Sequence, residues 1–188
     1  MDQFDRPTWD DYFMAMAFMT CTRSLDTNTK HACILVDQKH RVLGIGYNGP
    51  IRGVDDEAIP TEAPEKYFYM EHSERNAVFN SHGSLEGSTA YITGFPCTDC
   101  MRALIQNGVV RIYWGPIKST TRATSQSVAA MKAVNRMACL ANVEMIHYDH
   151  TGYHRVFNKV FTYLEHKGIL SRVYDNIVSC LKRLGGKK

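Results

Sequence analysis

The strongest constraint on the fold is the order of the apolar segments: a hairpin, then helix and strand in alternation. The runs Ala32-Cys33-Ile34-Leu35-Val36 and Val42-Leu43-Gly44-Ile45-Gly46-Tyr47 flank the polar stretch Asp37-Gln38-Lys39-His40 and read as two strands joined by a turn. Beyond them the patterning predicts a helix over 71–81, a strand over 89–93, a helix over 98–107 ended by Gly108, and a strand over 109–114. A helix over 125–140 and a strand over 143–148 complete the series. Ahead of the hairpin, Thr8 followed by Asp11 resembles a capping box, and the unbroken apolar run after it is too long for an edge strand, so a mostly buried helix over 9–23 is expected. The fold class is therefore α/β, a mixed β-sheet of about five strands with helices on both faces.

A chain of 188 residues is the size of one ordinary domain and can bury a core without disulfides. The reading divides it into a domain over 1–150 and a basic helical C-terminal extension over 151–188 that packs on the same domain, with Gly152 near the boundary and two short helices in the extension. Between the hairpin and the next helix, the stretch 48–66 holds Pro50, Gly53, Pro60, Pro64 and five acidic residues, which predicts a long surface loop with no regular element. Cys21, Cys33, Cys139 and Cys180 sit singly in apolar segments, as buried free thiols do in a reducing compartment. No apolar run approaches the roughly 20 residues of a membrane span, and the acidic start is unlike a signal peptide, so a cytoplasmic location with no membrane contact is expected. The net charge of +3 is too small to argue for nucleic acid. The basic residues of the extension, Arg155, Lys159, Lys167, Arg172, Lys182, Arg183, Lys187 and Lys188, read as a solvated helix face.

The chemistry is concentrated in two short segments. His72-Ser73-Glu74 opens one predicted helix, and Pro96-Cys97-Thr98-Asp99-Cys100 opens another. Helix N-termini favour thiolates, and two cysteines three apart at such an end can both reach one ion at about 2.3 Å. Cys97, Cys100 and His72 make three ligands for tetrahedral zinc and leave one position for water, the mark of a catalytic site. A closed structural site needs a fourth ligand. The other histidines, His31, His40, His82, His147, His150, His154 and His166, have no tight spacing to the pair, whereas Glu74 lies two residues beyond His72. His-x-Glu followed by Pro-Cys-x-x-Cys resembles the signature of zinc-dependent deaminases, in which the glutamate carries protons and is not a ligand.

Further residues narrow the resemblance. Trp9, the segment Tyr12-Phe13-Met14-Ala15-Met16-Ala17-Phe18, Arg23-Ser24, Gly44-Ile45-Gly46-Tyr47-Asn48-Gly49, Asp55-Asp56 and Phe95-Pro96-Cys97 with Cys100 together resemble the deoxycytidylate (dCMP) deaminases, over about Trp9 to Tyr148. The resemblance implies a cytidine-deaminase-like three-layer fold, a homohexamer, and hydrolytic conversion of dCMP to dUMP on the way to thymidylate, with one catalytic Zn2+ per chain. It implies that Glu74 is catalytic, that Asn48 hydrogen-bonds the sugar, that the backbone at Ser73 binds the pyrimidine edge, and that Arg23 meets the 5′-phosphate. It also implies dCTP and dTTP as effectors, with Mg2+, near Asn48, Gly49 and Asp55. The chain departs from the family in having Ser73 where alanine is usual, in Pro50-Ile51-Arg52-Gly53 after Asn48-Gly49, and in Gly115-Pro116-Ile117-Lys118-Ser119-Thr120 after Trp114.

Two other readings share part of this pattern. A deaminase of tRNA adenosine or of a free nucleobase uses the same ligands, but a polynucleotide enzyme needs a basic surface bearing aromatics beside the site, and the loop from Asp55 to Glu65 is acidic. A non-catalytic zinc-binding module needs a protein group in the fourth position, and the sequence offers no obvious one.

Overall fold

The hairpin and the alternation that follows it both form. A computed structural model of the chain describes residues 6–60, 62–117, 128–148 and 151–168. Its elements in chain order are α1 (Trp9–Cys21), β1 (Ala32–Val36), β2 (Val42–Tyr47), β3 (Gly49–Pro50), β4 (Met70–Glu71), α2 (Ser73–Phe79), β5 (Thr89–Gly94), α3 (Thr98–Gln106), β6 (Arg111–Ile117), α4 (Val128–Leu140), β7 (Glu144–His147) and α5 (Thr151–His166). The main sheet runs β2-β1-β5-β6-β7; β1 is antiparallel to both neighbours, and β5, β6 and β7 are mutually parallel. This is the mixed five-stranded sheet that the apolar pattern predicts. No helix among the described residues is long and apolar enough to cross a membrane.

Period-two alternation along the central strands divides the interior into two cores. Cys33 and Leu35 of β1 join Ala90 and Ile92 of β5, Ala77 of α2, Met101 and Leu104 of α3, and Val134 and Ala138 of α4. Ile34 and Val36 point the other way, to Phe13, Met14 and Ala17 of α1 and to Tyr91 and Tyr148. Side chains of the size of Leu35, Leu104 and Ile112, buried completely, each contribute about 1.5–3 kcal/mol. Gly44 and Gly46 of β2 set the depth of α2. A Cβ at Gly46 would overlap the Ala77 nitrogen and the Ser73 carbonyl oxygen, and one at Gly44 the Ala77 oxygen, so the helix rests directly on strand backbone.

Several local expectations are corrected. Thr8 Oγ1 accepts from the Asp11 N–H at 3.1 Å, as a cap should, but the Asp11 carboxylate accepts from the Tyr148 hydroxyl at 2.5 Å and pairs with Arg155 at 3.2 Å instead of returning to Thr8. α1 ends at Cys21, and only one of its faces is buried; Trp9, Tyr12 and Met19 are exposed. The stretch after Asn48 does contain regular elements, because β3 pairs with β4 and 3-10 turns form at Asp56–Ala58 and Glu65–Phe68. Pro50 is tolerated there because it lies in a two-residue ladder. Lys66 of the second turn is buried, and its Nζ lies 3.3 Å from Asp26 Oδ1, which also accepts from the backbone of Asn28 and Thr29 at 2.7 and 3.1 Å. Cys33 is buried as expected and Cys21 partly so, but Cys139 is exposed, since α4 turns only Val134 and Ala138 fully inward. Cys180 and the basic residues beyond Lys167 lie outside the described residues.

Of the extension, residues 151–168 are described and hold one 16-residue helix, α5, that runs to His166; the rest of the stretch for which two short helices are expected lies outside the described residues. It lies against α1, with the rings of Tyr153 and Phe18 4.2 Å apart, and Gly152 is buried in its first turn.

Candidate metal centre and active site

Two helix starts bring the chemistry together. His72 occupies the N-cap of α2 with extended backbone and makes no side-chain capping bond, which leaves its imidazole available. Cys97 occupies the N-cap of α3, its Sγ accepting from the Cys100 N–H at 3.4 Å, so both sulfurs face the same side of that first turn. His72 Nδ1 lies 3.5 Å from Cys97 Sγ and 3.4 Å from Cys100 Sγ, and the three ligand atoms all fall within 4.8 Å of one another. Zinc bonds of about 2.3 Å to sulfur and about 2.0–2.1 Å to nitrogen, opened to the tetrahedral angle, give a nitrogen–sulfur edge of about 3.6 Å, so the donor set fits zinc. Two soft thiolates with an imidazole also suit it chemically. Among the described residues no other His, Cys, Asp or Glu completes the cluster, which leaves one of four positions without a protein ligand.

The electrostatics agree with a cation site. A hydrogen bond from Cys100, reinforced by His72, pulls the Cys97 thiol down to about 4 against the effect of its burial. The same bond to Cys97, together with burial and the carboxylate of Glu74, pushes Cys100 well above the ordinary thiol value. His72 is pushed up to about 9, chiefly by its bond to Cys97 and against burial, with Glu74 adding to the rise. Negative charge is thus concentrated at one point, held in place by protons that a divalent ion would displace. Glu74 is 7% exposed, in the first turn of α2, and its Oε2 accepts from Ser73 Oγ at 2.9 Å.

The model of the cytidine and deoxycytidylate deaminase zinc-binding region matches residues 7–116. The chain belongs to this deaminase family. Among its relatives are a Drosophila melanogaster protein named probable deoxycytidylate deaminase, 36% identical over 56% of this chain and 58% of its own, and a Homo sapiens deoxycytidylate deaminase, 34% identical over 55% and 62%. The chain therefore spans less than two thirds of the length of these curated relatives. The apo dCMP deaminase of cyanophage S-TIM5 shares the fold, with a TM-score of 0.58 at 22% identity over 76% of this chain and 99% of that one.

The other residues marked by the sequence are distributed around this deaminase centre. Asn48 Oδ1 accepts from the His31 N–H at 2.7 Å and its Nδ2 donates to the Thr29 carbonyl at 2.9 Å, so the side chain clamps the approach to β1. An amide has two donors and two lone pairs, and one of each remains for a ligand. Ser73 is buried, with its hydroxyl on Glu74. Gly49 pairs with Glu71 in the small ladder, and Asp55 caps the 3-10 turn that follows it by accepting from the Glu57 N–H at 3.1 Å. Arg23 lines a groove of about 400 Å³ with Tyr47, Arg52, Asp56, Asn76 and Asn80, and none of the three metal ligands is among its lining residues.

His31 was not marked as a site residue. Its ring is set just before β1, two residues from Cys33 and so on the α2 and α3 side of the sheet, where the charges of Glu74 and His72 act on it. Burial pushes this imidazole below its ordinary value, opposed by the Glu74 carboxylate. The available signal was parity: His31, Cys33 and Leu35 share one face.

Proposed function

We propose that the chain hydrolyses dCMP to dUMP and ammonia, supplying dUMP for thymidylate synthesis. The observation that carries this reading is the buried carboxylate of Glu74 beside a three-donor metal site with one position open. The deoxycytidylate deaminase names of its relatives support dCMP as substrate, as does the cyanophage dCMP deaminase, of shared fold, solved with dCMP and dUMP. Zinc, when bound by His72, Cys97 and Cys100, supplies a Lewis acid that makes water nucleophilic near neutral pH. Glu74 takes a proton from the water that attacks carbon 4 of cytosine and passes it to the ring nitrogen, then takes the second proton from the hydroxyl so added and gives it to the amino group, which departs as ammonia while the uracil carbonyl forms. Each transfer restores the carboxylate. Ser73 Oγ fixes Oε2 and leaves Oε1 for the proton. The remaining N–H of Asn48 serves the sugar, and the backbone at Ser73 the pyrimidine edge.

Arg23, together with Arg52, suits a phosphate in its groove, either the 5′-phosphate of dCMP or that of a dCTP or dTTP effector held with Mg2+ on the loop that carries Asn48, Gly49 and Asp55. Exposed apolar groups such as Ile51, Phe68 and Phe79 support a homohexamer, and the composition supports a cytoplasmic enzyme. The test is ammonia release from the zinc-loaded protein over dCMP, CMP, deoxycytidine, dCTP, cytosine, adenosine and guanine, with dCMP also run with and without dCTP and Mg2+. Selective turnover of dCMP is expected. Preference for a base or an unphosphorylated nucleoside would overturn the substrate assignment, and no turnover of any of them would favour a non-catalytic zinc module.

A further inference from the structure

We propose that His31 is a substrate-contacting specificity residue, whose Nε2–H donates to an acceptor on the bound pyrimidine nucleotide. The inference rests on the deaminase reading above and adds to it a residue that the zinc signature does not include.

The register places His31 opposite Gly94: Cys33 pairs with Ile92 and Ile34 with Tyr91, so the next same-face pair toward the site is His31 with Gly94. A Cβ on Gly94 would stand 2.6 Å from His31 Cε1, so only glycine leaves room for the ring there. Three residues beyond Gly94 comes Cys97, and on the neighbouring strand Gly46 seats Ser73 at the head of α2. The imidazole is thus enclosed between the strand that delivers the cysteines and the helix that delivers Glu74.

The hydrogen bonds fix which nitrogen carries the proton. Thr93 is fully buried, and its Oγ1 accepts from the Ala32 N–H at 3.0 Å and lies 3.2 Å from His31 Nδ1. With the Ala32 N–H on one of its lone pairs, this buried hydroxyl is best satisfied when its own hydrogen is also bonded. Among the described residues its one acceptor is His31 Nδ1, so Thr93 donates there and the neutral ring carries its hydrogen on Nε2. Nε2 makes no hydrogen bond among the described residues, although it is a donor on a half-buried ring. A side chain that served packing alone could be apolar, whereas this one presents a directed N–H beside Glu74. Oxygen acceptors on the pyrimidine ring or on a substituent of it are what such a donor recognises.

Two amide variants separate the nitrogens, because asparagine can reproduce Nδ1 and glutamine Nε2. His31→Asn keeps a partner for Thr93 and removes the outward donor. His31→Gln returns a donor to the Nε2 position. Zinc content and melting temperature are measured first on each, then kcat and KM for dCMP, then dUMP affinity by calorimetry. His31→Asn should hold zinc, raise KM and weaken dUMP binding by roughly 3-fold to 10-fold, the worth of one neutral hydrogen bond, with kcat little changed, and His31→Gln should recover most of the loss. A zinc-loaded His31→Asn protein within twofold of the parent in KM and dUMP affinity, with His31→Gln the weaker of the two, would overturn the proposal and leave dCMP deamination standing. A parent that neither turns over nor binds any pyrimidine nucleotide overturns both.

Discussion

Replacing Lys66 by methionine keeps the length of the stem and removes the charge, which isolates one buried contact. Lys66 and Asp26 are 5% and 9% exposed at their side chains and stand 3.3 Å apart. Breaking a buried pair by deleting one partner costs about 3–5 kcal/mol when the other charge is stranded. Asp26 is not wholly stranded, since the backbone N–H groups of Asn28 and Thr29 still point at it, which lowers the expectation to about 2–3 kcal/mol. For a chain of this size that is a fall in Tm of about 4–12 °C. The sign of the pH dependence follows. Burial pushes the Asp26 carboxyl up, but the Thr29 and Asn28 amides and Lys66 together hold it below its ordinary value. Its ionised form therefore adds stability that is present above the unfolded value of about 3.9 and lost as pH falls through the lower folded value. The gap between parent and Lys66→Met should be full at neutral pH and close below about pH 4. Thermal unfolding across that range reads it, and Asp26→Asn added to Lys66→Met should recover part of the loss. A gap under about 2 °C at pH 7, or a double variant less stable than Lys66→Met, would refute the reasoning.

Two further outcomes concern the metal and the proton. Glu74→Gln should retain zinc, because His72, Cys97 and Cys100 are untouched, and lose about 100-fold to 10,000-fold or more in kcat on dCMP with KM little moved; turnover within tenfold of the parent would remove Glu74 as the proton carrier. Zinc loading of chelator-stripped protein in weak buffer at pH 7 should release about two protons, from Cys100 and His72, with Cys97 already ionised, and affinity should fall as the pH is lowered; a release near zero would contradict the charge arrangement.

The site was legible in the sequence where it is local. His72 to Glu74 and Cys97 to Cys100 each fit within one helix turn, so spacing alone announces which atoms can converge. The sheet was legible because Ala32–Val36 is a short unbroken apolar run bounded by polar residues, which suits a strand buried on both faces between two cores. Contacts between distant segments were not. The Lys66 pair joins residues 40 apart, the Asn48 clamp on His31 bridges 17, and Asp11 is claimed by Tyr148 from 137 positions away. A carboxylate placed for a capping box carries no sign that a tyrosine will take it. Gly152 and its polar neighbours look like a break in the sequence, and α5 starts there, with the glycine buried against Asp11 of α1.

Because Gly44 and Gly46 seat α2 on strand backbone, the spacing between β2 and the helix that carries Glu74 is set with no side chain between them. One methyl group at Gly46 would meet the backbone of Ser73 and Ala77, so the strand's smallest residue fixes where Glu74 stands relative to the cysteines of α3.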